Sequence, residues 1–406
     1  MEEWKEYELG ELITLNSGGT PDKSNKSYWG GDIPWISAKF MYDDYLYSSE
    51  LKISQEGLDN GSRLAPKGSI LLLTRGSGLF NRIPVCYVMR DLAYNQDVKC
   101  LESKNKELIS TKFLFYWLMG NKNSIGAILE TTGIGAGKID TNRLKNIRIS
   151  LPPKEYQQAL IGFAESIMHK IELNRRINDN LEQQAQALFK SWFVDFEPFR
   201  GGEFVDSELG LIPKGWRVVS LGEVTKQITE KVGNREDVTV LSPINSGELV
   251  LSEEYFTKQV FSKDLSKYLI VNPLSFAYNP ARINIGSIGL NTFDFVGCVS
   301  PVYVVFECEP NYQYFFDFFK RTAMFKDEVA LRAIGGVRQS LGYNDLSLIK
   351  IIYPTSDVVV EFNNLYLKMK EVMIKNTDQN EKFISLRDSL LPKLMSGELK
   401  INEFNC

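Results

Sequence analysis

From Lys154 to about Phe193, apolar or small residues recur at the alternating three-and-four spacing of a heptad seam. They are Leu160, Ala164, Ile167, Ile171, Leu181, Ala185, Leu188 and Trp192. The stretch follows Pro152-Pro153 and contains no proline and only Gly162, so the pattern predicts one long helix. The same spacing returns 202 positions later at Phe362, Tyr366, Met369, Met373, Phe383, Leu390 and Leu394, with Arg387 the one poor match. Each helix would be about 60 Å long at a rise of roughly 1.5 Å per residue. Two seam places in each copy are polar: Asn174 and Asn178 in the first, Asn376 and Asn380 in the second. If the helices pack antiparallel, Asn174 and Asn376 meet at the midpoint and fix the register at some cost in stability. The alternative is that these amides lie at the edge of the seam.

Ahead of each helix the period shortens to that of strands. Ile70-Leu71-Leu72-Leu73 and Pro301-Val302-Tyr303-Val304-Val305-Phe306 are runs fit for buried strands. Phe113 to Leu118 and Tyr314 to Phe319 read as short aromatic core helices, followed by glycine-rich loops and closing strands near Ile147–Ile149 and Ile349–Ile352. The likeness between copies is literal in places. Trp4-Lys5-Glu6-Tyr7-Glu8-Leu9-Gly10-Glu11-Leu12 returns as Trp216-Arg217-Val218-Val219-Ser220-Leu221-Gly222-Glu223-Val224, 212 positions on. Asn142-Arg143-Leu144-Lys145-Asn146-Ile147 returns 202 positions on as Asn344-Asp345-Leu346-Ser347-Leu348-Ile349. The expectation is a mixed α/β fold: two globular domains in pseudo-twofold arrangement, separated by two long antiparallel helices that form a coiled coil. The expected boundaries are a first domain at 1–153, a helix at 154–197 and a docked aromatic linker at 198–215. A second domain follows at 216–355, then a helix at 356–396 and a tail at 397–406.

Composition excludes more than it selects. Of 406 residues, 43% are hydrophobic and 24% charged, and no apolar run approaches the roughly 18 residues of a membrane span. The acidic start Met1-Glu2-Glu3 does not resemble a signal peptide, and a cytoplasmic protein is expected. Cys86, Cys100, Cys298, Cys308 and Cys406 form no pair with metal-ligand spacing and read as free buried thiols. The single histidine, His169, falls in the predicted helix as a solvated residue, which argues against catalytic triads and histidine-bound metals. A net charge of −4 hides an uneven distribution. Residues 1–62 carry 5 Lys/Arg against 12 Asp/Glu, whereas residues 63–148 carry 14 against 6. A local basic face is what phosphate neutralisation needs, and a scattered solvated surface is the plainer reading. In the second copy, residues 258–350 carry only 10 against 8.

Motifs that would signal catalysis fail on inspection. Gly133-Ile134-Gly135-Ala136-Gly137-Lys138 is one residue short of a nucleotide phosphate loop and has Ile139 where the Ser/Thr belongs. Tyr278-Asn279-Pro280-Ala281-Arg282 is faintly similar to the Asn-Pro-Pro-aromatic motif of amino-methyltransferases but lacks the second proline and the aromatic. No matched pair of carboxylates recurs in both copies. The chain looks like a reader.

Ser17-Gly18-Gly19-Thr20-Pro21, then Tyr28-Trp29-Gly30-Gly31-Asp32-Ile33-Pro34-Trp35-Ile36, resembles the opening of target-recognition domains in specificity subunits of type I restriction-modification systems. Leu151-Pro152-Pro153 with Gln157 and Gln158 resembles that family's closing element. The junction from Ser191-Trp192-Phe193-Val194-Asp195-Phe196-Glu197-Pro198 to Gly210-Leu211-Ile212-Pro213-Lys214-Gly215-Trp216 is the most specific match, and Leu390 to Leu399 is similar to the C-terminal signature. The second domain lacks the Gly-Gly-Thr-Pro and Tyr-Trp-Gly-Gly elements. The resemblance implies a non-catalytic subunit whose two target-recognition domains each read half of a split, asymmetric double-stranded DNA site. It implies that the helices set the unread spacer and dock two copies of a modification subunit that carries S-adenosylmethionine, with restriction subunits as possible further partners. No cofactor or metal is expected in this chain.

Sequence-reading side chains are sought among Arg, Lys, Asn and Gln near strand ends. Ser69 to Arg75 corresponds to Ser275 to Arg282, each a strand delivering an arginine into a Gly/Ser turn, so Arg75 and Arg282 are the first candidates, with Ser77 and Asn284 in the turns. Weaker candidates are Arg82, Asn95, Gln96, Lys138, Ser300, Arg332, Arg338 and Gln339. The competing readings are a stand-alone DNA methyltransferase or nuclease with a duplicated fold, and a coiled-coil scaffold that binds only protein.

Overall fold

The computed structural model describes residues 4–133, 135–256, 260–333 and 340–401. The chain divides into two compact units, Met1–Arg175 with Asn376–Cys406, and Arg176–Lys375. Helix α1 spans Lys154–Phe193 and helix α2 spans Ser356–Ser396, so each gives one half to each unit. The first helix starts directly after the two prolines, and the Gln157 amide fastens its first turn by donating to Leu108 O and Pro152 O, both at 3.0 Å.

In the first unit, a five-stranded sheet runs in the order Ile13–Ser17, Val98–Ser103, Ile70–Leu73, Val85–Val88, Tyr45–Leu46. A four-stranded sheet follows the order Lys52–Ile53, Trp29–Ile36, Leu92–Tyr94, Leu64–Ala65, and its central pair is parallel. Lys5–Glu8 pairs antiparallel with Arg148–Leu151, which brings the start and end of the globular region together. The aromatic stretch is the helix Thr111–Gly120, buried from Phe113 to Met119. It shares one core with Leu160, Ala164, Ile167 and Ile171 of α1 and Leu391, Leu394 and Met395 of α2.

The second unit repeats this plan. One sheet is ordered Thr225–Ile228, Val304–Cys308, Phe276–Tyr278, Ile288–Leu290. The other is Leu249–Leu251, Thr239–Pro243, Gly297–Val299, Leu269–Val271, again with a parallel central pair. Arg217–Ser220 closes on Lys350–Tyr353. The strand expected over Pro301–Phe306 begins only at Val304. The preceding residues form a turn in which Tyr303 N donates to Ser300 O at 3.0 Å, and an N-terminal proline supplies no ladder donor. The segment after α1 folds into the hairpin Phe204–Ser207 with Gly210–Pro213, and the rings of Phe196 and Phe199 stand edge-on to Trp216 at 5.5 and 5.1 Å.

The helix seam departs from an ideal heptad in three places. In the second unit the buried positions of α1 are Phe189 and Phe193 in place of Leu188 and Trp192. Phe189 stacks on Phe318 at 5.5 Å and Phe193 meets Phe315 at 5.1 Å, so the apolar stripe turns toward the aromatic helix Gln313–Phe319. The second departure concerns the asparagines. Asn174, fully buried, donates to Asn380 Oδ1 and Gln379 Oε1, each at 2.9 Å, where the sequence had suggested Asn376. Antiparallel packing explains the exchange: the first unit holds α1 up to Arg175 and α2 from Asn376, so Asn174 meets a residue one turn into that half of α2. Asn376 is half-buried, and Asn178 donates to Met373 O at 3.0 Å in the second unit.

Arg387 is the third departure. Only 4% exposed, it sits in the seam with its guanidinium 2.7 Å from Asp44 and 2.7 Å from Asp388. Its neighbour pair Arg175–Asp43, at 3.4 Å, is largely exposed. Removing one partner of a buried ion strands the other, whereas a surface pair contributes little. Asp44→Ala is therefore expected to lower stability by about 2–3 kcal/mol, with Asp388 retaining part of the pairing. Asp43→Ala should cost under about 1 kcal/mol. Urea unfolding of both variants checks the contrast, and equal losses would contradict it.

Candidate nucleic-acid interface

The strand Ile70–Leu73 ends in Thr74, and the chain then pairs as Arg75–Gly76 with Gly137–Ile139, setting Lys138 directly opposite Arg75. Ile139 N donates to Thr74 O at 2.9 Å, which ties the glycine-rich loop to the end of the main sheet. Lys99 arrives from the neighbouring strand, in register with Leu72 on one side and Ser17 on the other. Its ammonium donates to Ser17 Oγ at 2.6 Å and to Gln96 O at 3.3 Å. Partial burial, and then the charge of Arg75, hold the Lys99 ammonium below the usual lysine range. Three cations from three strands thus border one groove of about 350 Å3, which Ser17 and Gln96 also line.

Positive charges this close repel one another, and nothing in the protein fully offsets them. Among the described residues, no carboxylate lies within 4.0 Å of Arg75, Lys99 or Lys138. Asp140, at the groove wall, feels the charge of Lys138, but its Oδ1 is taken up in accepting from Asn142 N at 2.8 Å and Arg143 N at 2.9 Å, capping the helix Thr141–Lys145. Those backbone donors, Arg143 N foremost, hold its carboxyl below the ordinary range against a smaller opposing effect of burial. Asp97 accepts from the Asn95 amide at 3.3 Å and lends Lys99 some compensation. An anion entering the groove would relieve the remaining repulsion.

The other candidates sort by what they already hold. Arg82 donates to Tyr42 O at 3.2 Å and to Met41 O, with its guanidinium 5.0 Å from the Tyr42 ring centre, so it braces the loop before Tyr45. Asn95 is 7% exposed and its amide closes a turn by accepting from Asp97 N at 3.2 Å. Arg332 pairs with Glu328 at 3.0 Å one turn back on its own helix. Ser77 is exposed in the single turn of 3-10 helix Ser77–Phe80. Gln96 is exposed and lines the groove. Arg338 and Gln339 lie outside the described residues.

In the second unit Arg282 and Asn284 are exposed within one turn, and Ser300 is half-buried. No matching cation cluster forms there among the described residues. Ser103 pairs with Ile13 and Cys308 with Thr225, and both partners directly follow the short helix of their unit. Counting back along the strands, Val304 occupies the place of Lys99 and is 7% exposed. Lys99 and Ser17 escaped the sequence reading. Alternation of buried Val98 and Cys100 around Lys99 could have put it on the opposite face, but its pairing with Ser17 joins residues 82 apart. The remaining chemistry is quiet: His169 is exposed, four cysteines are buried thiols, and no His/Cys/Asp/Glu group suited to a metal occurs among the described residues.

Residues 1–183 match the family model of the type I restriction modification DNA specificity domain. Over 99% of its length the chain is 27% identical to the type I restriction enzyme MjaIX specificity subunit of Methanocaldococcus jannaschii, covering 94% of that protein. It is 24% identical to the HindI specificity subunit of Haemophilus influenzae, over 98% of this chain and all of that one. In fold it is similar to the crystal structure of a type I restriction-modification S subunit from M. genitalium, with a TM-score of 0.50, 14% identity and 96% of each chain covered.

Polyanion affinity separates the unpaired cations from the paired ones. Lys99→Ala combined with Lys138→Ala is expected to elute from heparin at clearly lower salt than the parent chain. Arg332→Ala should elute with the parent, since its charge is already matched by Glu328. Co-elution of all three would contradict the groove's role.

Proposed function

We propose that this chain, which belongs to the type I restriction-modification DNA specificity family, selects the DNA sequence for such a complex by reading a two-part, asymmetric site. It is a specificity subunit and not itself a catalyst. The observation that carries the two-part reading is one topology occurring twice with different chemistry at the same place: Arg75, Lys99 and Lys138 in the first unit, and Val304 where Lys99 would stand in the second. Equal scaffolds with unequal contact residues suit two half-sites of unequal sequence.

In this reading, Lys99 and Lys138 neutralise backbone phosphates and set the register of the duplex, while the guanidinium of Arg75 and the amides beside it reach base edges. Arg75 and Arg282 are the foremost contacts, with Ser77, Asn284, Gln96 and Lys138 around them. The long helices set the length of unread DNA between the half-sites and dock two copies of a modification subunit. That partner binds S-adenosylmethionine and performs the transfer, and a restriction subunit joins where the system has one. No described helix is long and apolar enough to cross a membrane, and the proposed site of action is the cytoplasm.

Mapping methylated sites in cells that express the chain with its modification subunit tests the proposal. A split, asymmetric motif with a fixed unread spacer is expected. Arg75→Ala should relax one half of that motif and leave the other intact, with a cost of ~1–3 kcal/mol at the affected position. A continuous palindromic motif, or equal relaxation of both halves, would contradict it.

A further inference from the structure

Two motifs of the first globular region, Gly18-Gly19-Thr20-Pro21 and Tyr28-Trp29-Gly30-Gly31, supply no charge to the cation groove, yet they converge on one hydrogen bond. The Thr20 hydroxyl donates to Gln96 Oε1 at 2.6 Å. The chain around Thr20 is held from several sides. Gly19 N donates to Tyr94 O at 2.9 Å, and Gly19 O accepts from Trp35 Nε1 and from Ser62 Oγ, each at 3.1 Å. A Cβ on Gly18 would lie 2.2 Å from Tyr94 O, and one on Gly19 would lie 2.3 Å from Gly61 O, so only glycine permits this approach. Trp29 stands edge-on to Trp35 at 5.3 Å and donates from Nε1 to Asp22 O at 3.1 Å. Pro21 is buried. Both motifs therefore fix where the Thr20 hydroxyl points.

Gln96 is exposed and borders two grooves at once. One holds Arg75, Lys99 and Lys138. The other, of about 520 Å3, holds Thr20, Lys23 and Trp35, with Lys39 at its edge 3.9 Å from Glu50. Ammonium groups on either side suit a phosphate backbone but carry little information about sequence. The amide between them is the group able to tell one base edge from another. Its bond from Thr20 uses one lone pair of Oε1 and leaves the other, with both amide hydrogens, available to a ligand. A long side chain that would otherwise sample several rotamers is thus given one orientation.

We infer that Gln96 is a base-reading residue of the first half-site, that Thr20 is its positioning residue, and that the base read is an adenine. Adenine offers N7 as acceptor and the N6 amino group as donor, the complement of an oriented side-chain amide. This inference rests on the DNA-reading function proposed above. The second globular region lacks both motifs, so this device serves one half-site only.

Selection from a randomised duplex pool by the full chain assembled with its modification subunit, followed by sequencing of retained DNA, tests it. For Gln96→Ala and Thr20→Val, preference is expected to fall on the order of tenfold at one and the same A·T position. Preference at all other positions should be unchanged, and Thr20→Ser should restore the preference. A uniform drop in retention without change of preference would overturn the inference, as would unchanged preference in Gln96→Ala, whose exposed side chain has no part in the core. Effects of the two variants at different positions, or at a G·C position, would overturn it equally. If the parent chain retains DNA without any sequence preference, the proposed function fails along with it.

Discussion

Leu160, Ala164 and Ile171 of α1 and Leu391 and Leu394 of α2 are withdrawn from water into the same core as the aromatic helix Thr111–Gly120. Phe189, Phe193, Phe362 and Tyr366 do the same for the second unit. Each of the larger apolar side chains contributes roughly 1.5–3 kcal/mol of burial, so the helix halves are part of each globular core and not accessories to it. The consequence is a constraint on the whole chain. Neither unit is complete without residues from both long helices, and the first unit needs residues beyond 375 to close. Polar insertions in this seam find partners, Asn174 Nδ2 on Asn380 and Gln379 and Arg387 on Asp44 and Asp388, although Asn174 Oδ1 is buried without one.

On that scaffold, the difference between structural and available cations becomes readable. Arg82 spends its donors on Met41 O and Tyr42 O, Arg332 on Glu328, and Arg387 on two aspartates. Arg75, Lys99 and Lys138 share a groove with no ion-pair partner among the described residues, and the burial that depresses Lys99 is a standing cost. The two carboxylates that line the groove, Asp97 and Asp140, form no ion pair with these cations. Leaving the charge unmatched makes sense where a polyanion supplies the match.

Much of this was legible in the sequence. The heptad spacing and the Pro152-Pro153 start gave α1 and α2, and the two Trp-to-Leu-Gly-Glu repeats marked where each globular region begins. Local pattern carries such information because helices and turns are built from neighbours. What escaped was set by contacts across long separations. The shift from Leu188 and Trp192 to Phe189 and Phe193 depends on where Phe315 and Phe318 stand. The asparagine pairing depends on where the midpoint of the helix pair falls, which a heptad frame cannot locate. The sequence puts Arg75 at a strand end and Lys138 in a glycine-rich loop, but only their strand register and the bond from Lys99 to Ser17 join them into one site. The weaker candidate Arg332 is the local exception, since its partner Glu328 lies one turn back on the same helix.

Hydrogen exchange of the full chain, with and without a duplex carrying its methylated motif, addresses the central claim directly. Protection on DNA binding is expected at 74–76, 96–99 and 137–139 in the first unit and at 282–286 in the second. Protection confined to α1 and α2, or absent from both strand-end sites, would contradict a chain that reads DNA through its two globular regions.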